Sequence, residues 1–118
     1  MDGRVRLLLD VFDQAYTAPA WHGTPLKGTI RGVSAREALW RPARKRHCIW
    51  DLVLHTAYWK CMVRRRLLRR AIAGLRPAER SHRAWHSKWP VKAEIYGIAS
   101  HDLYHASQVQ ILKRLIRS

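Results

Sequence analysis

His101 and His105 stand four residues apart in the segment Ser100-His101-Asp102-Leu103-Tyr104-His105. On an α-helix, positions i and i+4 share a face, with Cβ atoms about 5–6 Å apart. Two imidazoles so placed reach one metal ion, at about 2.0–2.1 Å per bond for zinc. His55 lies far upstream in an apolar helical stretch. Two ligands from one helix and one from another leave a coordination position open, the pattern of a catalytic metal rather than of a closed structural one. Burying two imidazoles without partners is costly. A shared ion removes that cost; mutual or backbone hydrogen bonds are the alternative.

Spacing alone does not decide the matter, because His82 and His86 repeat it. The two pairs differ in context. His82 and His86 lie among Ser81, Arg83, Ser87 and Lys88, with no apolar stripe beside them. On a helix carrying His101 and His105, Ile98, Gln108, Val109, Leu112 and Ile116 share their face, which points both rings into a core. Asp102 is a candidate to orient a ring of the site as an outer acceptor, or else a surface charge. Gln108 either faces the same cavity or bonds a neighbouring helix. Cys61 reads as a core residue on the stripe of His55, with ligation as its other possible role.

The elements that must position these residues are helices. Residues 4–17 space Val5, Leu8, Leu9, Phe12, Ala15 and Tyr16 as one amphipathic helix. Pro19, Gly23, Pro25, Gly28 and Gly32 then mark a long connection. Ser34 followed by Glu37 is a capping box, predicting a short helix from Ala35 to Trp40 that Pro42 ends. A long helical pattern runs from His47 to Leu75, with Trp50, Leu54, Ala57, Tyr58, Cys61, Leu68, Ala71 and Ile72 near one stripe and the surroundings of His55 predicted to be buried. Residues 78–89 read as a polar, basic loop, and Pro90 suits the first turn of a last helix reaching Arg117. No strand alternation is present. The class is all-α, one domain over 1–118, a helical bundle.

Composition narrows the setting. Hydrophobic residues make up 47% of the chain, too many for a disordered one. The best apolar run, Cys48 to Val63, is broken by Asp51, His55 and Lys60 and cannot span a bilayer. Leu7-Leu8-Leu9 is followed at once by Asp10 and Asp13 and makes no signal peptide. On one straight helix Cys48 and Cys61 would be roughly 20 Å apart, beyond a disulfide. A reduced, cytoplasmic protein is the reading that follows. The net charge of +15 is spread widely, dense only at Arg64-Arg65-Arg66 and Arg69-Arg70.

Two segments carry a resemblance. Gly97-Ile98-Ala99-Ser100-His101-Asp102-Leu103-Tyr104-His105-Ala106-Ser107-Gln108-Val109 resembles the C-terminal motif of the DinB/YfiT-like proteins, and Ile49-Trp50-Asp51-Leu52-Val53-Leu54-His55-Thr56-Ala57-Tyr58-Trp59 resembles their other histidine motif. Ala20-Trp21-His22-Gly23 and Gly32-Val33-Ser34-Ala35-Arg36-Glu37-Ala38 are also similar to members of one branch. The resemblance implies an up-down four-helix bundle holding a divalent transition metal, zinc or nickel, on His55, His101 and His105. It implies metal-dependent chemistry on a small molecule, either thiol S-transfer with a low-molecular-weight thiol or hydrolysis.

The chain departs from that family in two ways. Ser107 stands where the family often has glycine. More consequentially, Arg64-Arg65-Arg66-Leu67 runs straight into Leu68-Arg69-Arg70-Ala71-Ile72-Ala73-Gly74-Leu75, with no loop between a second and a third helix. The expectation is one fused rod that leaves part of the core uncovered and favours a homodimer, domain-swapped in the simplest form. A bend at 65–70 is the rival. Two further function classes stand beside the metal enzyme. One is a basic helical module binding nucleic acid through Arg64–Arg70, which lacks base-reading residues and interleaved aromatics. The other is a shortened relative that binds metal without catalysis.

Overall fold

A computed structural model describes residues 1–75 and 91–118, with side chains for 1–69 and 93–118. The 78–89 loop, Pro90 and the His82/His86 pair lie outside the described residues. The described chain is all-α, in the order α1 (Gly3–Tyr16), α2 (Leu26–Thr29), α3 (Ala35–Leu39), α4 (Ile49–Leu75) and α5 (Val91–Arg117). None of these helices is long and apolar enough to cross a membrane.

Each boundary has a local cause. Asp2 caps α1, its carboxylate accepting from the Arg4 backbone N–H at 2.8 Å. Within the long connection Gly32 takes φ +70°, which lets the chain reverse between α2 and α3. The predicted capping box forms at α3. The Ser34 hydroxyl accepts from the Glu37 N–H, and the Glu37 carboxylate accepts from the Ser34 N–H at 2.8 Å. Arg117 of α5 donates to the same carboxylate at 2.9 Å. From Ala43 to Ala73 the sequence has neither glycine nor proline. Accordingly α4 is unbroken over 27 residues, about 40 Å. The fused rod forms, and the bend at 65–70 does not.

The Ser34 N–H, then Arg117 and the Ser34 hydroxyl, hold the Glu37 carboxyl down at about 2, against an ordinary 4.5. Its folded value is depressed, so its contribution is complete above pH 4.5 and fades as pH falls through about 2. Glu37→Gln is therefore expected to lower the melting temperature at pH 7, with the gap from wild type closing between pH 4.5 and 2. Thermal melts followed by circular dichroism at both ends of that window check this.

Helix α5 is the centre of the assembly, packing against α4, α1 and α2, while α3 lies on α4. Ile49 and Leu52 of α4 meet Val109 and Leu112 of α5 in the main core, with Ile30, Val33, Val53 and Ile116 packed around it. Ala15 of α1 and Ala99 and Ala106 of α5 are also buried. Lys113 reaches back to donate to the Thr29 carbonyl at 2.9 Å, tying the end of α2 to α5.

The apolar stripe read along α4 is out of phase with the observed one. Trp50, Leu54, Tyr58 and Leu68 are 49–57% exposed, and Cys61 is exposed rather than in the core. The buried face carries Ile49, Leu52, Thr56 and Val63. Around His55 the helix is apolar on most sides, and α5 covers only one of its two competing stripes. For the same reason the surroundings of His55 are more open than expected.

Candidate metal centre

Three imidazoles converge where the first half of α4 crosses the middle of α5. His55 comes from α4, two turns past its start; His101 and His105 come from successive turns of α5. His101 Nε2 lies 3.0 Å from His55 Nε2 and 3.1 Å from His105 Nε2. The three ligand atoms fall within 4.8 Å of one another. His105 is buried, His101 half-buried and His55 at the solvent edge.

The three rings are close enough together to hold one metal ion. Nitrogens at about 2.0–2.1 Å from one ion, at bond angles of about 90–110°, lie roughly 2.8–3.4 Å apart. The two separations from His101 fall in that range, and all three ligand atoms lie within 4.8 Å of one another. Hydrogen bonds serve the rings less well, because a neutral imidazole has one N–H and His101 Nε2 faces two ring nitrogens. If His101 carries its proton on Nε2, only one of the two contacts is fully served. If it carries the proton on Nδ1, neither is donated to from His101. His101 Nδ1 is itself buried without a hydrogen-bond partner.

His105 Nδ1 lies 2.5 Å from Gln108 Oε1. An Nδ1–H donating to that amide oxygen is the tautomer that leaves the Nε2 lone pair facing the other two rings. Gln108 thus resolves to an orienting partner on its own helix, one turn beyond the ring it holds. Burial pushes the His101 imidazole down to about 4, and the neighbouring His105, His55 and Lys60 add to that. Burial likewise lowers His105, opposed by the Gln108 hydrogen bond. Both rings are in the neutral, ligating form near pH 7.

Asp102 does not orient an imidazole, contrary to one sequence expectation. It is wholly buried and accepts from Lys60 Nζ at 2.6 Å. Burial raises its carboxyl; the Lys60 ammonium opposes the shift. Lys60 also sits 4.6 Å from the Tyr16 ring centroid, so this cation links α4, α5 and α1. Sequence reasoning missed it. Lys60 counted there only as a break in an apolar run, although a lone lysine in such a run is itself a signal of a buried partner.

A cleft of about 670 Å³ opens beside the triad, lined by Leu54, His55, Tyr104, His105 and Gln108 and by His47, Asp51 and Leu52. Asp51 is fixed in it. The Arg41 guanidinium donates to both carboxylate oxygens, and the Cys48 N–H donates at 3.0 Å. These contacts, Arg41 first, hold the Asp51 carboxyl well below the usual carboxylate range. The Trp59 ring stands edge-on to His55, and the Tyr104 ring edge-on to His105. The cleft's size is that of a small-molecule site. Comparison with protein-family models, with curated proteins and with solved structures finds no match to this chain.

Proposed function

We propose that this chain is a divalent-metal protein, holding zinc or nickel on His55, His101 and His105 and acting on a small molecule in the adjoining cleft. The observation that carries the reading is the approach of three Nε2 atoms from two helices, with Gln108 in contact with the other nitrogen of one ring. A bound ion there supplies a nucleophile near neutral pH by lowering the pKa of a water or a thiol. The chain's own residues do the rest. Gln108 holds the His105 ring in place. Leu54 and Tyr104 give the cleft apolar walls, and Arg41 neutralises Asp51, so no free carboxylate repels an anionic thiolate there. The motif resemblance around His55 and around His101–His105 supports a DinB/YfiT-like, thiol-transferring or hydrolytic activity.

Elemental analysis of untagged protein tests the centre, with about one zinc or nickel per chain expected. Loaded protein is then assayed in two arms. One follows loss of free thiol from a low-molecular-weight thiol plus a small electrophile; the other follows ester hydrolysis without thiol. Turnover in the first arm assigns the transferase reading, and in the second the hydrolase. Metal without either overturns catalysis and leaves a metal-binding protein. Protein that neither carries nor takes up the ion overturns the whole reading.

A further inference from the structure

The three long helices leave a second, larger cleft, about 900 Å³, between α1 and α4. Its floor includes Ile98 of α5, and its walls are Phe12 and Tyr16 of α1 and Val63, Leu67 and Leu68 of α4. None of the three histidines lines it, and it plays no part in the reading above. Tyr16 and Leu68 are 42% and 50% exposed, a strip of large apolar groups left in water.

Charge divides between the two walls. Asp10 and Asp13 line the α1 side, and Arg64 the α4 side. In a chain with 23 basic and 8 acidic residues, a carboxylate rarely lacks a cation. Asp2, Glu37, Asp51, Glu94 and Asp102 all lie in ion pairs within the chain. Asp10 and Asp13 are in none of the pairs found among the described residues, and neither is Arg64.

We infer that this cleft is the interface of a two-fold homodimer. Each protomer's Asp10 and Asp13 face Arg64 of the partner subunit, and the apolar strips close on each other. A two-fold axis sets a patch against its own copy. A patch with an acidic wall opposite a basic one is complementary to itself under that operation. Elsewhere, a net charge of +15 opposes the approach of two copies.

The triad assembles within one chain, so the dimer needs no exchange of helices and does not depend on the ion.

Sedimentation velocity on the full chain, from about 1 to 100 μM, tests the inference; this range brackets the affinities of modest interfaces. The wild type is expected to sediment as a dimer. Leu68→Glu, at an exposed position, is expected to be monomeric with unchanged helix content. Arg64→Asp and Asp13→Arg singly are expected to weaken the dimer about tenfold or more, and the double reversal to restore it. A wild type that is monomeric throughout overturns the interface. If that monomer binds anilinonaphthalene sulfonate, and Leu68→Glu abolishes the binding, the cleft belongs to a small apolar ligand instead. A dimer indifferent to Leu68→Glu and to both charge reversals overturns it equally.

Discussion

Replacing His101 with alanine is expected to weaken zinc or nickel binding by more than the ~10–100-fold that losing an outer-shell partner costs. His101 is the hinge of the cluster: its Nε2 is the atom within 3.1 Å of both other rings. Without it, His55 and His105 remain on different helices with no third donor between them. Gln108→Ala gives the smaller, graded loss of about 10–100-fold, since it frees the His105 ring without removing a ligand. Stability provides an independent readout. Ion at about 100 times its dissociation constant stabilises a binding protein by about 2.7 kcal/mol. Wild-type protein should gain that much in zinc or nickel, and His101→Ala should gain nothing. If the rings were only a packed cluster, His101→Ala would alter the melting temperature of the ion-free protein, and added ion would leave both proteins alike.

Lys60→Met is expected to be the most destabilising single change at a charged residue, about 3–5 kcal/mol. The magnitude comes from asymmetry within the pair. The Asp102 side chain is 1% exposed and has no route to water once its partner is gone, whereas that of Lys60 is 31% exposed. Asp102→Leu should therefore cost less, because the freed ammonium can turn outward while its stem stays packed. The double variant should recover most of the loss, since well-packed apolar residues replace a buried ion pair at little net cost. Denaturant titration of the four proteins gives the coupling. Equal costs for the two single changes, or simple additivity, would contradict the account.

The parts of this structure that were legible in the sequence are those set within a few residues of one another. The Ser34–Glu37 capping box and the shared face of His101 and His105 are short-range facts. They follow from side-chain chemistry and helical spacing. The triad itself was legible for another reason. Its third member lay in an apolar helix, and the two histidine segments together resemble one family pattern. What could not be read was phase. Trp50, Leu54 and Tyr58 make as good an apolar stripe as Ile49, Leu52 and Val63, and only the position of α5, 42 to 46 residues further along, decides between them. The same long-range choice gave Asp102 a lysine rather than a histidine as its partner. Periodicity says that a helix has a buried side, and with apolar residues on both sides it does not say which.

The span from His55 to His101 is 46 residues, and it includes most of α4 and the start of α5. An ion gripped at both ends of that span is a reversible crosslink, one that closes a long loop in the unfolded ensemble as a disulfide does. Chelation and reloading would then cut and rejoin the polypeptide topologically, under the control of metal supply rather than of oxidant, in a protein whose two cysteines are both free.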